Sequence, residues 1–192
     1  MAIILNQCVG ILFVYIFENN VLLNYFTNLG LTAAVVLFLL SLPDLFNFLL
    51  IIPSAYLLDK IGIKKFGWYG LFLMAVSTPI LVLSNFMPTH FIAILAIFGL
   101  SVYSFGRTIY TGSWNALINP HIDPKERGRF LAKLKLYLGF IGIAFTFITG
   151  KALSWWPNHN IYIYIFIFIG VSFLHRFYTY KIIPEVPHEK LK

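Results

Sequence analysis

Six long apolar runs divide this chain of 192 residues, and they restrict it to one kind of architecture. Each run has about the 20 residues that a helix needs to cross the hydrocarbon core of a bilayer. The predicted fold class is therefore an all-α integral membrane protein with six transmembrane helices. The spans are predicted at about residues 2–23, 31–58, 66–85, 90–118, 130–153 and 161–180.

Composition supports a membrane protein and excludes several other classes. Of all residues 59% are hydrophobic and 11% are charged, whereas a soluble domain carries about 25% charged residues. The net charge of +7 does not indicate nucleic acid, because the basic residues lie mainly in loops, where they set topology and meet anionic lipid head groups. The single Cys8 excludes an intrachain disulfide and a cysteine zinc cluster. We expect no metal and no cofactor.

The placement of the basic residues predicts an orientation. Three lie in the loop after span 2, five in and just after the loop that follows span 4, and three in the C-terminal tail, whereas Lys151 alone lies at the opposite side. Cytoplasmic loops retain Lys and Arg, so both termini are predicted to be cytoplasmic. A bundle of residues 1–185 would then be followed by a cytoplasmic tail, residues 186–192.

The loop between spans 2 and 3 carries a motif. Segment 55–65 reads AYLLDKIGIKK, and it resembles the signature loop between helices 2 and 3 of the major facilitator superfamily of secondary transporters. Asp59, Lys60, Gly62 and Lys64 match that pattern, whereas Ala55 and Ile63 stand where the family has Gly and a basic residue. The departure at Ile63 removes part of the family's salt-bridge pattern.

A second motif extends the resemblance. Segment 124–129, PKERGR, resembles the family's loop between helices 4 and 5, and 183–185 resembles the close of its first six-helix half. The resemblance implies one half-bundle built as a 3+3 inverted repeat, with the second half missing. It also implies a cytoplasmic gate in which Lys60 or Lys64 pairs with Asp123 or Glu126. The implied gate residues are Asp59, Lys60, Gly62, Lys64, Lys65, Glu126 and Arg127.

Polar residues follow one face of span 4 at a spacing of three or four, which is the spacing of one helical face. A polar face needs water or other helices, since lipid offers no partners. The resemblance implies the same, because helices 1 and 4 of the family line its central cavity. The other interpretation is that these Ser and Thr side chains bond their own backbone. The residues are Ser101, Ser104, Thr108, Thr111 and Asn115.

Two charged residues lie inside predicted spans and are candidates for function. Arg107, beside the polar face of span 4, would bind an anionic solute, pair with an acid, or reach the inner lipid head groups. Asp44, with Asn47 on span 2, would take up and release a proton during transport, or would stay protonated and bond a neighbouring helix. On span 5, Gly139, Gly142 and Gly150 offer small surfaces for close helix contact.

The leading functional prediction is the N-terminal half of a secondary transporter that moves a small solute by alternating access, with a second half or a second copy as partner. Asp44 makes proton coupling a candidate. The alternative is a truncated, non-transporting membrane subunit that acts through helix association. Because no enzyme motif such as H-E-x-x-H or G-x-S-x-G occurs, we expect no enzyme. The abundance of Ile, Phe, Asn and Tyr favours a prokaryotic source, and hence a cytoplasmic membrane.

Overall fold

A computed structural model describes residues 2–17, 20–156 and 160–184, and the regular structure within these ranges is helical. Six segments of the described chain are long and apolar enough to cross a membrane, as the apolar runs predict. The first crossing is made by α1 and α2 together. The helices are α1 (Ala2–Phe17), α2 (Asn20–Asn28), α3 (Ala33–Ile61), α4 (Ile63–Ser84), α5 (Thr89–Ile118), α6 (Arg127–Trp155) and α7 (Asn160–Ile182), with a short 3-10 helix at Asn119–His121.

The helices are longer than the predicted spans at several ends. α2 continues to Asn28, five residues beyond the predicted end of span 1, and α6 begins at Arg127 rather than near residue 130. The predicted interruption of span 1 at Glu18 lies outside the described residues, as does the predicted tail of residues 186–192. Proline occurs inside α3 at Pro43 and Pro53 and inside α4 at Pro79. Transmembrane helices tolerate proline where neighbouring groups satisfy the freed carbonyls.

The pairing of helices follows the inverted repeat that the family resemblance implies. The first span packs on the fifth and sixth (α1 on α6 and α7), and the fourth span packs on the second and third (α5 on α3 and α4). Exchanging the first three spans with the last three converts one set of pairs into the other. The third and sixth spans, α4 and α7, touch each other. The exchange replaces each of them by the other, so this pair is unchanged. The contacts therefore form a 3+3 arrangement.

Aromatic side chains in the core join α1 to α5 and to α7. Phe17 of α1 stacks on Tyr103 of α5 with ring centroids 4.0 Å apart, and Phe13 packs on Phe173 of α7 at 4.1 Å. All four side chains are buried. By contrast, α6 is peripheral, since only Leu134, Gly142 and Thr149 of this long helix are buried. Gly142 lies directly against the ring of Tyr15, whereas Gly139 and Gly150 have open space beside them.

Gly62 alone separates α3 from α4. Its φ of 96° and ψ of 140° lie in a region that is essentially restricted to glycine. The Gly62 N–H donates to the Leu58 carbonyl at 3.0 Å, and its own carbonyl accepts from the Phe66 N–H at 3.0 Å. One residue thus ends one helix and begins the next. We call the end of the bundle that carries this turn the Gly62 end; α5 and α7 finish there and α6 begins there.

Candidate functional site

A cavity of about 300 Å³ lies among α1, α5, α6 and α7. Its lining combines apolar side chains such as Phe13, Met74 and Trp114 with polar and basic ones. Three of the lining residues are basic, and no carboxylate is among them in the described part of the chain. The polar and basic members of the lining are Gln7, Arg107, Tyr110, Thr111, Asn115, Lys135 and Arg176.

Arg176 is buried within α7, with 3% of its surface exposed. The guanidinium carbon lies 4.4 Å from the ring centroid of Tyr110 and 5.3 Å from that of Phe13, within the range of a cation–π attraction. Nη2 reaches Asn6 Oδ1 at 3.5 Å, and Nε has no hydrogen-bond partner. A guanidinium offers five N–H donors, so most of its donor capacity is not used by strong hydrogen bonds to the described residues.

Asn6 of α1 ties the surroundings of Arg176 together. Its Nδ2 donates to the Arg176 carbonyl oxygen at 3.1 Å and to Thr179 Oγ1 at 2.9 Å, while its Oδ1 accepts from the Tyr110 hydroxyl at 2.6 Å. Three helices are therefore joined at one buried amide. Gly10, one turn further along α1, makes room for the guanidinium, since a Cβ there would lie 2.9 Å from Nη2.

A second hollow, a groove of about 330 Å³, lies between α3 and α5. It shares Thr111 and Asn115 with the cavity, so α5 presents polar residues to both hollows. On the other side, α3 contributes Asn47, Ser54 and Asp59 to the groove. Asn47, a candidate on span 2, therefore lies at the same groove as Thr108, Thr111 and Asn115 of the polar face of span 4.

The structure places the other predicted residues of the pathway differently. Ser104 and Thr108 are buried, and their hydroxyls donate to the carbonyls of Leu100 and Ser104 at 2.6 and 3.0 Å. These two side chains therefore bond their own helix backbone, which is the second interpretation of the polar face of span 4. Thr108 also lines the groove, whereas Ser101 and Ser104 line neither hollow. Asp44 is exposed on α3 and is not on the groove lining.

The predicted gate residues gather at the Gly62 end, with contacts that the sequence does not predict. Lys64 Nζ donates to the carbonyl oxygens of Lys181 and Ile183, at 2.9 and 2.8 Å, and so binds the end of α7. Asp123 accepts from the Lys125 N–H within its own loop, and Arg127 donates to the Asn119 carbonyl. Asp59, Lys60, Lys65 and Glu126 are exposed. His121 Nε2 lies 2.9 Å from the Pro184 carbonyl oxygen, which accepts the bond.

The comparison with known families decides the broader identity. The family described as the Major Facilitator Superfamily matches residues 3–192 of this sequence. The chain belongs to the Major Facilitator Superfamily. No curated protein and no solved structure matches the chain. As a member of a superfamily of membrane transporters, this protein is an integral membrane protein, and the six membrane-crossing segments of its described residues agree with one half-bundle of the superfamily.

Sequence analysis missed the buried network around Arg176. The one signal available was an arginine inside the apolar run of span 6, where a charge is expensive. Asn6 and Tyr110 gave no signal, because isolated polar residues in apolar runs do not reveal which helix they face. From the sequence alone, Lys135 counts only among the basic residues that set the topology. Within the described ranges no cluster of His, Cys, Asp and Glu that could hold a metal ion is found.

Proposed function

We propose that this chain forms the N-terminal six-helix half of a secondary transporter that moves a small solute by alternating access. The observation that carries the proposal is the pair of adjoining hollows on either side of α5. Both lie within the length of the spans and share Thr111 and Asn115. Transporters of this architecture bind substrate near the bilayer midplane and move one bundle against another around the site.

The exposed polar groups of α3 and α5 support a requirement for a second bundle. Asp44, Asn47, Thr111 and Asn115 are exposed, although they lie inside membrane-spanning helices. A polar group facing lipid without a partner costs several kcal/mol, and a charged Asp44 costs about 2.5–3.5 kcal/mol on insertion scales. A second six-helix half or a second copy of this chain would cover that face and hold water against it.

The Gly62 end would supply the gate. Lys64 links the α3–α4 turn to the end of α7, so a tilt of α4 would carry α7 with it. Lys60, Asp123 and Glu126 are exposed at the same end. We propose that Lys60 or Lys64 pairs with one of these acids when the gate is closed, an exposed contact worth about 0–1 kcal/mol.

The proposed location is a prokaryotic cytoplasmic membrane, with the Gly62 end and both termini in the cytoplasm. The support is the excess of Lys and Arg in the loops at that end. Asp44 is the proposed group for proton coupling, because it is the acidic residue inside a described span nearest to its middle.

A mass measurement tests the need for a second bundle. The full chain would be purified in a mild neutral detergent, and its oligomeric mass measured by native mass spectrometry. We expect a dimer, or a complex with a separately encoded six-helix partner. A monodisperse monomer that catalyses solute uptake in liposomes would contradict the proposal. A stable dimer that moves no solute in any uptake assay would favour the non-transporting subunit instead.

The gate is tested by Asp59→Asn, which removes the charge and keeps the shape. We expect normal membrane insertion and a loss of most uptake in the reconstituted complex. Asp123→Asn is the matched control for removal of an acid from a loop at the same end, with a smaller effect because Glu126 stays available. Uptake by Asp59→Asn equal to that of the unmodified protein would mean that the turn only sets topology.

A further inference from the structure

The cavity among α1, α5, α6 and α7 combines a concentration of positive charge with an apolar wall. Arg107, Lys135 and Arg176 reach it from three different helices, and its lining in the described chain has no carboxylate. At the helical rise of 1.5 Å per residue, these residues lie about 16, 12 and 9 Å from the ends of their helices at the Gly62 end. Positive charge therefore follows a path from that end into the bundle.

Arg176 has unused capacity for a further partner. A buried charge is costly unless it is paired and hydrogen-bonded. The residue is 97% buried, its Nε has no hydrogen bond, and its Nη2 reaches Asn6 Oδ1 only at 3.5 Å, with the Tyr110 hydroxyl as a further neighbour. The rings of Phe13 and Tyr110 attract the cation, but neither ring carries a negative charge that would balance it. An anion in the cavity would supply that charge.

The neighbours of Arg176 hold it ready for such a partner. Asn6 bonds the backbone of Arg176 and the hydroxyl of Tyr110, and Tyr110 covers one side of the guanidinium. Gly10 leaves the space that the guanidinium fills. A planar guanidinium fixed in this way presents the fork geometry that matches a carboxylate or a phosphate. Preorganisation of this kind reduces the entropic cost of binding.

We infer that this cavity binds a small organic anion. Its carboxylate or phosphate head would lie between Arg107 and Arg176, and its apolar body would contact the aromatic lining residues, such as Phe13 and Trp114. The volume of about 300 Å³ is at the lower limit for small-molecule pockets, so the anion is small. Lys135 is exposed and lies on the wall of the cavity that α6 forms, where its positive charge attracts the anion. This inference rests on the proposed function only in making the anion the transported solute.

Binding to the purified full chain in a neutral detergent provides the test. The probes are benzoate and phenyl phosphate, with benzamide as a neutral control of similar shape, each titrated by calorimetry. We expect saturable binding of at least one anion, and binding of benzamide at least about 10-fold weaker. Charge-assisted hydrogen bonds of this kind correspond to roughly 10- to 100-fold in affinity. Absence of binding by both anions, or equal binding of benzamide, would overturn the inference.

Substitutions locate the site. Arg176→Gln and Arg107→Gln should each weaken anion binding about 10- to 100-fold, whereas Lys133→Gln should leave it unchanged. Lys133 is exposed on α6 close to Lys135 but does not line the cavity. If Arg176→Gln does not fold, Arg107→Gln decides, since that side chain is only half-buried. Unchanged affinity in the folded arginine variants would overturn the assignment.

A lipid phosphate has the same chemistry as a soluble phosphate ester, so a second titration separates the two sources. Dihexanoyl phosphatidylglycerol, a short-chain anionic lipid, would be titrated into the same protein. We expect it to compete poorly with benzoate. Arginine-dependent binding of this lipid with no binding of benzoate or phenyl phosphate would overturn a solute site and assign a lipid site. A protein that binds the anion but moves none contradicts only the proposed function, whereas uptake of a neutral solute without anion binding contradicts only this inference.

Discussion

Gly70 of α4 and Gly106 of α5 lie against each other with no side chain between them. A Cβ built on Gly70 would stand 2.8 Å from the Gly106 carbonyl oxygen, and a Cβ on Gly106 would stand 2.7 Å from the Gly70 carbonyl oxygen. The obstructing atoms belong to the backbone, which cannot move aside by a change of rotamer. Two absent methyl groups therefore set the distance between these two helices.

Gly70→Ala should destabilise the bundle. Overpacking costs about 1–3 kcal/mol, and the higher helix propensity of alanine returns up to about 1 kcal/mol. Gly139→Ala is the matched control, because a Cβ there meets nothing within 4 Å and only the propensity gain remains. Thermal unfolding in detergent measures both. Equal unfolding midpoints for the two variants would show that α4 and α5 are not in close contact.

This contact also shows how far the sequence predicts the packing. The six spans follow from the length of the apolar runs, and the inverted repeat follows from the family resemblance. The residues that bring helices together do not follow. Span 5 offers three glycines, but only Gly142 is covered by a neighbour, while Gly70 and Gly106 give no special signal. In apolar helices the side facing a neighbour and the side facing lipid have similar composition, so periodicity cannot separate them.

Tyr110→Phe should weaken the joint between α1, α5 and α7. It removes the hydroxyl that donates to Asn6 Oδ1 at 2.6 Å and keeps the ring beside Arg176. A typical net hydrogen bond is worth about 0.5–1.5 kcal/mol, so we expect a loss of that size in the free energy of unfolding. Tyr178→Phe on the exposed side of α7 should change it by less than about 0.5 kcal/mol. If both variants unfold alike, the buried hydroxyl does not contribute.

Lys64→Met should release the end of α7 and keep the apolar stem of the side chain. Two carbonyl oxygens near the end of that helix, those of Lys181 and Ile183, lose their ammonium donor, at an expected cost of about 1 kcal/mol. Hydrogen exchange of residues 179–183 reports the loosening directly. Lys65→Met removes the neighbouring charge from an exposed position and should leave those amides protected. Faster exchange in both variants would point to a general effect of charge.

The orientation is tested with single cysteines in a Cys8→Ser background. Lys125→Cys should resist an impermeant thiol reagent in intact cells and react after the membrane is opened, because basic loops stay in the cytoplasm. Lys151 is exposed near the end of α6 that is remote from Lys125, so Lys151→Cys should react in intact cells. The reverse pattern would invert the bundle and place the Gly62 end outside.

The candidate site illustrates a different limit of the sequence. The spacing predicts a polar face on α5, and two of its members, Thr111 and Asn115, line the cavity together with Arg107 beside that face. The partner residues on α1 and α7 were not predicted, because Asn6 and Arg176 are isolated polar residues without a periodic pattern. Their proximity is a product of tertiary packing, since they lie 170 positions apart in the sequence.

The sparse attachment of α6 decides where the cavity is weakest. Leu134, Gly142 and Thr149 are its buried residues, spaced by eight and seven, so α6 touches the rest of the bundle along a single line. Segments with few buried contacts open at the lowest free energy. Lys135 is carried by this helix, beside Leu134, whereas Arg107 and Arg176 stand on helices with broader contacts. We therefore expect thermal opening of the cavity to begin at α6, while the two arginines keep their places.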